Sequence, residues 1–280
     1  MRLFVVGAGE IGRWLARTLR PAVDRVAFAD ANPQAAMDAA DELVDGRVVP
    51  LDTDEAFDCV ALAVPIPAVA DAVESHAASA ASGALIDVSG AMADPLAAMA
   101  RHAEGEYASF HPLFAPPRGP GRVAFVPGEA GPVVGRVREA LADAGNDVFE
   151  TTAAEHDGAM EAVQTGAHTA VLAYALAAED VPEEFHTPVS EPLAELAGTV
   201  TEGDSRVYGD IREAFGGADA VAAAARQLAD ADPEEFTALF ERARTSVGGD
   251  PRERTAEAGA DADPDADPDP GADTDRGSGE

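Results

Sequence analysis

A glycine-rich turn between a strand-like run and a helix-like run constrains this chain more than any other feature. Residues 3–6 are apolar and favour a strand, and the next six residues are Gly7, Ala8, Gly9, Glu10, Ile11 and Gly12. The first glycine allows a tight turn, the second lets the backbone approach a pyrophosphate, and the third lets the helix pack closely. Free N–H groups at the helix start then favour an anion. The pattern predicts a dinucleotide site in a Rossmann-type βαβ unit.

The cofactor expected in this site is NAD. Asp30 ends the next β-rich run, where an acidic residue accepts hydrogen bonds from the ribose hydroxyls and repels a 2′-phosphate. FAD shares the glycine fingerprint, but the chain is short for a conventional second flavin-enzyme domain. Val64 and Pro65 end the fourth β-rich run, so we expect them to border the cofactor at the carboxyl edge of the sheet. No compact carboxylate–histidine cluster points to a metal site.

The first 151 residues alternate β-rich runs with Ala-rich helical stretches. This alternation predicts an α/β domain with a doubly wound parallel sheet and helices on both faces. The expected strands are residues 2–6, 25–29, 47–49, 59–64, 84–88, 107–110, 122–126 and 147–151. The expected helices between them lie near residues 11–19, 33–43, 67–78, 95–102 and 132–144.

Residues 152–247 predict a second, all-helical domain. Residues 153–178 contain no proline and predict one long helix, which Thr152 and Glu155 are placed to cap. Further helices are expected near residues 189–199, 206–215, 218–230 and 233–246. Such apolar helices need partners, so we expect this domain to bind substrate and to form a homodimer. Residues 248–280 are acidic and of low complexity, which predicts a disordered tail; a partner-binding tail is the less favoured alternative.

The charge balance excludes several classes of partner. The net charge is −33, and all 19 basic residues are arginine. Nucleic acid and an anionic membrane surface are therefore not expected partners, since few cations are present to neutralise phosphates. An acidic, lysine-free composition is typical of halophiles, in which molar salt screens the self-repulsion. The chain starts directly on a strand-like run and has no long apolar stretch, so a cytoplasmic protein is expected.

Candidate chemistry lies on histidines and on a polar helix stripe. His111 comes just after an expected strand, in the run Ser-Phe-His-Pro-Leu-Phe. Asp157, Glu161, Gln164 and His168 are spaced four, three and four residues apart, so a regular helix places them on one face. This stripe predicts either a substrate site facing the cofactor domain or a hydrogen-bonded helix–helix interface. Ser89 follows the fifth β-rich run, and it either contacts cofactor or substrate or caps the next helix.

Several motifs together resemble the prephenate dehydrogenase family, which includes arogenate dehydrogenases. They are GAGEIG at residues 7–12, DVSG at 87–90, HPLF at 111–114, EHD at 155–157, Q-x-x-x-H at 164–168 and YGDI at 208–211. The resemblance covers roughly residues 1–215 and implies a Rossmann domain followed by a helical dimerisation domain. It also implies NAD-dependent oxidative decarboxylation of prephenate to 4-hydroxyphenylpyruvate, a step of tyrosine biosynthesis. By resemblance, His111 is the catalytic histidine that hydrogen-bonds the ring hydroxyl, and His168 lines the substrate pocket.

The chain departs from the family pattern where a substrate carboxylate needs cations. Gly90 and Met92 stand where the family has serine and lysine, and Thr199 stands where it has arginine. A dicarboxylate needs cationic partners. We take Arg206 as the candidate, with Ser89 and Gln164 as further substrate contacts; the alternative cations are Arg212, Arg13 and Arg118. The absence of lysine argues against β-hydroxyacid dehydrogenases, whereas arogenate dehydrogenase and a non-catalytic NAD-binding relative stay open as alternatives.

Overall fold

The computed structural model describes residues 1–80, 82–178 and 181–246. The described residues divide into two compact units, residues 1–222 and residues 223–246. The expected boundary at residue 151 stays a prediction, and the expected acidic tail lies outside the described residues. No helix in the described ranges is long and apolar enough to cross a bilayer.

The first unit is built on one eight-stranded sheet with the order β3-β2-β1-β4-β5-β6-β7-β8. The first six strands pair in parallel, β7 runs antiparallel to β6, and β8 pairs in parallel with β7. This arrangement confirms the doubly wound sheet, with its order reversal between β1 and β4, where ligands bind in such sheets. The strands are β1 (Arg2–Val6), β2 (Arg25–Ala29), β3 (Gly46–Val48), β4 (Cys59–Leu62), β5 (Ala84–Asp87), β6 (Glu106–Pro112), β7 (Arg122–Glu129) and β8 (Asp147–Glu150).

Helices cover both faces of the sheet because successive β-rich runs present apolar side chains to both sides. One buried cluster joins the sheet to α1, α2 and α5, and a second joins it to α3 and α4. The helices are α1 (Glu10–Leu19), α2 (Pro33–Asp41), α3 (Val69–His76), α4 (Ala93–His102), α5 (Pro132–Asp143), α6 (Ala153–Met160), α7 (Ala167–Ala177), α8 (Ser190–Thr201), α9 (Ser205–Ala214), α10 (Ala218–Asp230) and α11 (Pro233–Ser246).

The expected single helix over residues 153–178 is wrong in its middle. A π-helical turn, Glu161–Gly166, separates α6 from α7, and the N–H of Ala167 bonds the carbonyl of Ala162, five residues back. The backbone at Gly217 approaches this turn so closely that a Cβ there would lie 2.2 Å from the carbonyl oxygen of Glu161. The wider turn shifts the phase of the helix. Sequence spacing across it therefore misjudges which side chains share a face.

Candidate active site

The glycine turn has the geometry that a dinucleotide site requires. Gly7 adopts a φ of 99°, and a Cβ there would lie 2.2 Å from the carbonyl oxygen of Ala63. A Cβ at Gly12 would lie 2.0 Å from the carbonyl oxygen of Gly7, so this glycine allows α1 to pack on the turn. A Cβ at Gly9 would meet no atom within 4 Å, and no side chain caps the α1 N-terminus. The free space and uncapped N–H groups fit an incoming pyrophosphate.

Asp30 has a second role that the sequence did not reveal. One carboxylate oxygen accepts from the N–H of Ala8 at 2.7 Å, and the other accepts from the N–H of Asn32 at 2.7 Å. Asp30 thus braces the glycine turn and also lines a groove of about 400 Å³, with Pro33, Val49 and other residues at the ends of β2 and β3. This groove lies where the adenosine half of a dinucleotide is expected, so the residues fit NAD.

The other expected cofactor contacts lie around the same turn. Glu10 is exposed and Ile11 half-buried in the first turn of α1. Val64 and Pro65 follow β4; Val64 is half-buried and Pro65 is exposed. The Val64 nitrogen would lie 3.3 Å from a Cβ at Gly7. All four residues are therefore at the carboxyl edge of the sheet, beside the uncapped helix start.

His111 lies inside β6, not just after it as expected from the sequence. Its side chain is 7% exposed, and its Nδ1 lies 2.8 Å from Nε2 of His156. Its Nε2 lies 3.4 Å from Nε2 of Gln164, and a Cβ at Gly90 would lie 3.7 Å from Nε2 of His111. Burial, and secondarily the nearby His156, lowers the pKa of His111 to about 3, although Asp157 acts in the opposite direction. The imidazole is therefore neutral near pH 7 and can accept a proton.

Asp157 joins His156 to the start of α4. Its Oδ1 lies 2.7 Å from His156 Nδ1, and its two oxygens accept from the N–H groups of Met92 at 3.1 Å and Ala93 at 3.0 Å. The sequence placed Asp157 on a shared stripe and gave His156 no role. His111 on β6 meets His156 on α6 only through tertiary packing, and residue spacing carries no signal for that contact.

Ser89 supports a buried carboxyl group beneath the site. Its hydroxyl lies 3.1 Å from Asp87 Oδ2, and its N–H donates to Oδ1. Ser109 on β6 donates to the same carboxyl at 2.8 Å. Burial raises the pKa of Asp87 to about 7 despite these hydrogen bonds. The expectation that Ser89 caps the next helix is wrong, because Met92 is the N-cap of α4 and Asp157 binds its first N–H groups. The contact of Ser89 with substrate or cofactor stays a prediction.

Gln164, which contacts His111, and His168, four residues further along the chain, keep buried atoms without a hydrogen-bond partner among the described residues. These atoms are Oε1 of Gln164 and Nδ1 of His168. The His168 ring packs edge-on against Tyr208, with ring centroids 4.7 Å apart, and burial lowers its pKa. Unpaired buried polar atoms are costly, so a ligand that bonds them gains affinity. Glu161 instead lies beside Gly216, so the expected four-residue stripe divides between different surroundings.

The candidate arginines occupy different places. Arg206, the expected carboxylate partner, has an exposed side chain that lies 3.7 Å from Asp204. Arg13 is held by Glu42 at 2.7 Å and by the carbonyl oxygen of Ala8, on the cofactor side. The guanidinium of Arg118 donates to the hydroxyl of Thr199 at 3.3 Å. An arginine from the sheet domain therefore reaches the position where the family pattern has its own arginine.

Comparison with a curated relative decides the family. The chain is 31% identical to the 4-amino-4-deoxyprephenate dehydrogenase of Streptomyces pristinaespiralis over 276 residues, covering 87% of this chain and 90% of the relative. The chain belongs to the prephenate dehydrogenase family. It is accordingly a dehydrogenase, as the motifs indicated. No family model matches the sequence.

Solved structures of the family share the fold at low sequence identity. Prephenate dehydrogenase from Aquifex aeolicus has a TM-score of 0.67 at 16% identity and covers 88% of this chain and 98% of its own. The same enzyme with hydroxyphenyl propionate and NAD⁺ has a TM-score of 0.64 at 15% identity, with 92% of each chain covered. Arogenate dehydrogenase from Synechocystis has a TM-score of 0.60 at 16% identity and covers 88% of this chain and 99% of its own.

Proposed function

We propose that this protein is an NAD-dependent prephenate dehydrogenase, which converts prephenate to 4-hydroxyphenylpyruvate and CO₂ in tyrosine biosynthesis. The observation that carries the proposal is His111, a buried neutral imidazole with Nδ1 bound to His156 and Nε2 turned towards Gln164. A ring hydroxyl placed at Nε2 has a base for its proton. The family relative and the NAD⁺ bound by a neighbour of the same fold support the choice of substrate class and cofactor.

The residues divide the work of this reaction. The α1 N-terminus and Asp30 hold the cofactor, which supplies the hydride acceptor when bound. His111 Nε2 takes the proton of the ring hydroxyl as the ring carbon loses hydride, and loss of CO₂ then makes the ring aromatic. Gln164 and His168 offer unpaired polar atoms to the bound substrate. Burial around His111 keeps water from competing for the base.

Arg118 is our candidate partner for a substrate carboxylate, in place of Arg206. Its contact with Thr199 puts a guanidinium at the position of the missing family arginine, whereas Arg206 faces Asp204 on the surface. Guanidinium binds carboxylate with two parallel hydrogen bonds, which suits a dicarboxylate substrate.

A second candidate substrate is 4-amino-4-deoxyprephenate, which carries a ring amine in place of the ring hydroxyl. The curated relative named for this reaction favours it. Gly90 stands in place of the family serine, and a Cβ there would be 3.7 Å from Nε2 of His111, so this glycine leaves room beside the base. Arogenate keeps the ring hydroxyl and differs in the side chain, so it is a third substrate for comparison.

The protein is proposed to act as a homodimer in a salt-rich cytoplasm. Exposed apolar side chains on α7, α8 and α9, such as Leu176, Leu196 and Val207, support a partner for the helical part. The net charge of −33 without lysine supports the salt-rich setting. Light scattering should give twice the 28.6 kDa chain mass in multimolar KCl. A monomer would contradict the proposed homodimer. Full activity and stability at low salt would contradict the proposed salt-rich setting.

The test is NADH formation by the purified protein in multimolar KCl with NAD and each of the three substrates. We expect prephenate to give the highest kcat/KM, and His111→Ala to lower it by about 10²–10⁴-fold. His102→Ala is the matched control, because His102 is an exposed histidine at the end of α4. Preference for the ring amine would establish the second candidate. Binding of NAD without turnover of any substrate would contradict the proposal and favour the non-catalytic relative.

A further inference from the structure

A chain of hydrogen bonds connects the base of the proposed reaction to a carboxylate and a helix start. His111 Nδ1 lies 2.8 Å from His156 Nε2, and His156 Nδ1 lies 2.7 Å from Asp157 Oδ1. The two imidazole rings meet at 72°, with centroids 5.0 Å apart. His156 is 3% exposed, so solvent does not compete for these bonds.

Asp157 determines which nitrogen donates in each of these hydrogen bonds. Burial alone would raise the pKa of Asp157, but hydrogen bonds from His156 and from the N–H groups of Ala93 and Met92 hold it below its usual value. A carboxylate only accepts hydrogen bonds, so His156 donates from Nδ1. When His156 is neutral it has a single N–H, so its Nε2 is then bare and accepts from Nδ1–H of His111. Nε2 of His111 is then the bare nitrogen.

Proton transfer to His111 creates a positive charge that His156 and Asp157 can stabilise. When the substrate O–H bond breaks and the N–H bond forms at His111 Nε2, the ring becomes a buried cation. Burial disfavours that cation, as the lowered pKa of His111 indicates. If the Nδ1 proton of His111 passes to Nε2 of His156, the cation is placed directly beside the Asp157 carboxylate. The proton returns to His111 Nδ1 when Nε2 releases its own proton after product formation.

We propose that His156 and Asp157 are positioning residues that fix the Nδ1–H tautomer of His111 and hold the charge formed when His111 accepts the substrate proton. This inference rests on the proposed function, because it takes His111 as the base. Besides His156 and Asp157, the nearest polar contact of His111 is Gln164, which does not titrate. Asp87 on the neighbouring strand is bonded to Ser89 and Ser109.

The tautomer is measurable without turnover. In ¹⁵N-histidine-labelled protein with NAD, long-range ¹H–¹⁵N spectra distinguish a protonated nitrogen from a bare one, and His111→Gln assigns the signals. We expect Nδ1 of His111 and Nδ1 of His156 to be protonated and both Nε2 atoms bare. A proton on Nε2 of His111 in the wild type would overturn the proposal, even if the enzyme turns over prephenate. The expected tautomer in a protein that turns over no substrate would overturn the proposed function alone.

Kinetics separate positioning from simple structural support. His156→Gln keeps an acceptor for His111 Nδ1–H but cannot take its proton, so we expect the tautomer to persist and kcat to fall about 100-fold. Asp157→Asn removes the charge and should lower kcat similarly, with KM changed less than about threefold. Glu155→Gln, in the same turn, is the control, because Glu155 is exposed and only caps α6. Wild-type kcat in His156→Gln, or a loss in KM alone, would overturn the proposed role.

Discussion

Substitution of Gly9 by alanine separates cofactor binding from folding. Gly9 has a φ of −72°, which alanine adopts without strain, and its Cβ would meet no protein atom within 4 Å. We therefore expect the melting temperature of the cofactor-free protein to stay unchanged. The added methyl group occupies the space through which a pyrophosphate approaches the α1 N-terminus. Loss of one or two charge-assisted hydrogen bonds, at about 1.5–3 kcal/mol each, corresponds to a fall in NAD affinity of at least about tenfold.

Gly12→Ala provides the contrast for this prediction. Its Cβ would lie 2.0 Å from the carbonyl oxygen of Gly7, so α1 must move away from the turn at a cost of about 1–3 kcal/mol. Calorimetric titration with NAD and thermal unfolding of the cofactor-free proteins measure both effects. Gly9→Ala should lose affinity alone, and Gly12→Ala should lose both affinity and stability. Wild-type NAD affinity in Gly9→Ala would refute the assignment of this space to the cofactor.

Two further predictions concern a buried carboxyl and an arginine. The pKa of Asp87 rises from 3.8 to about 7 on folding. The contribution of Asp87 to the free energy of unfolding is therefore complete below pH 4 and is lost as the pH rises through 7. This rise in pKa corresponds to about 4 kcal/mol, and Asp87→Asn should remove that much of the fall in unfolding free energy between pH 4 and 8 in denaturant titrations. An unchanged pH dependence would contradict the assignment. Arg118→Gln should raise KM for prephenate about tenfold or more, whereas Arg206→Gln should not. The reverse order would restore Arg206 as the carboxylate partner.

The parallel part of the sheet could be predicted from the sequence because its β-rich runs are short and apolar, and a helical stretch lies between most of them. The antiparallel direction of β7 could not be predicted in this way. Periodicity of this kind reports local structure and the faces that become buried. The glycine turn was equally readable, since tight turns, close approach and helix packing each require a missing side chain at a fixed place. Asp30 was assigned to the cofactor on the same grounds, although its bond to the N–H of Ala8 depends on how the turn folds back.

The site around His111 was only partly predictable because its contacts join distant parts of the chain. His156 reaches His111 across 45 residues of sequence, and Asp157 reaches the start of α4 across 64 and 65 residues. Helical spacing failed at the π-helical turn, because its wider hydrogen-bond ring alters the phase that the argument assumes. The contact of Arg118 with Thr199 likewise comes from tertiary packing, which a comparison of sequence motifs does not detect.

The most direct test of the central claim is the stoichiometry of the reaction with prephenate. Purified protein in multimolar KCl with NAD should form NADH, CO₂ and 4-hydroxyphenylpyruvate in equal amounts, and His111→Asn should slow the formation of all three products together by about 10²–10⁴-fold. Asparagine keeps a polar side chain of smaller volume, so folding and NAD binding should persist. It has no basic nitrogen, so it cannot accept the substrate proton. Formation of all three products by His111→Asn at the wild-type rate, or NADH without CO₂ from the wild type, would contradict the account.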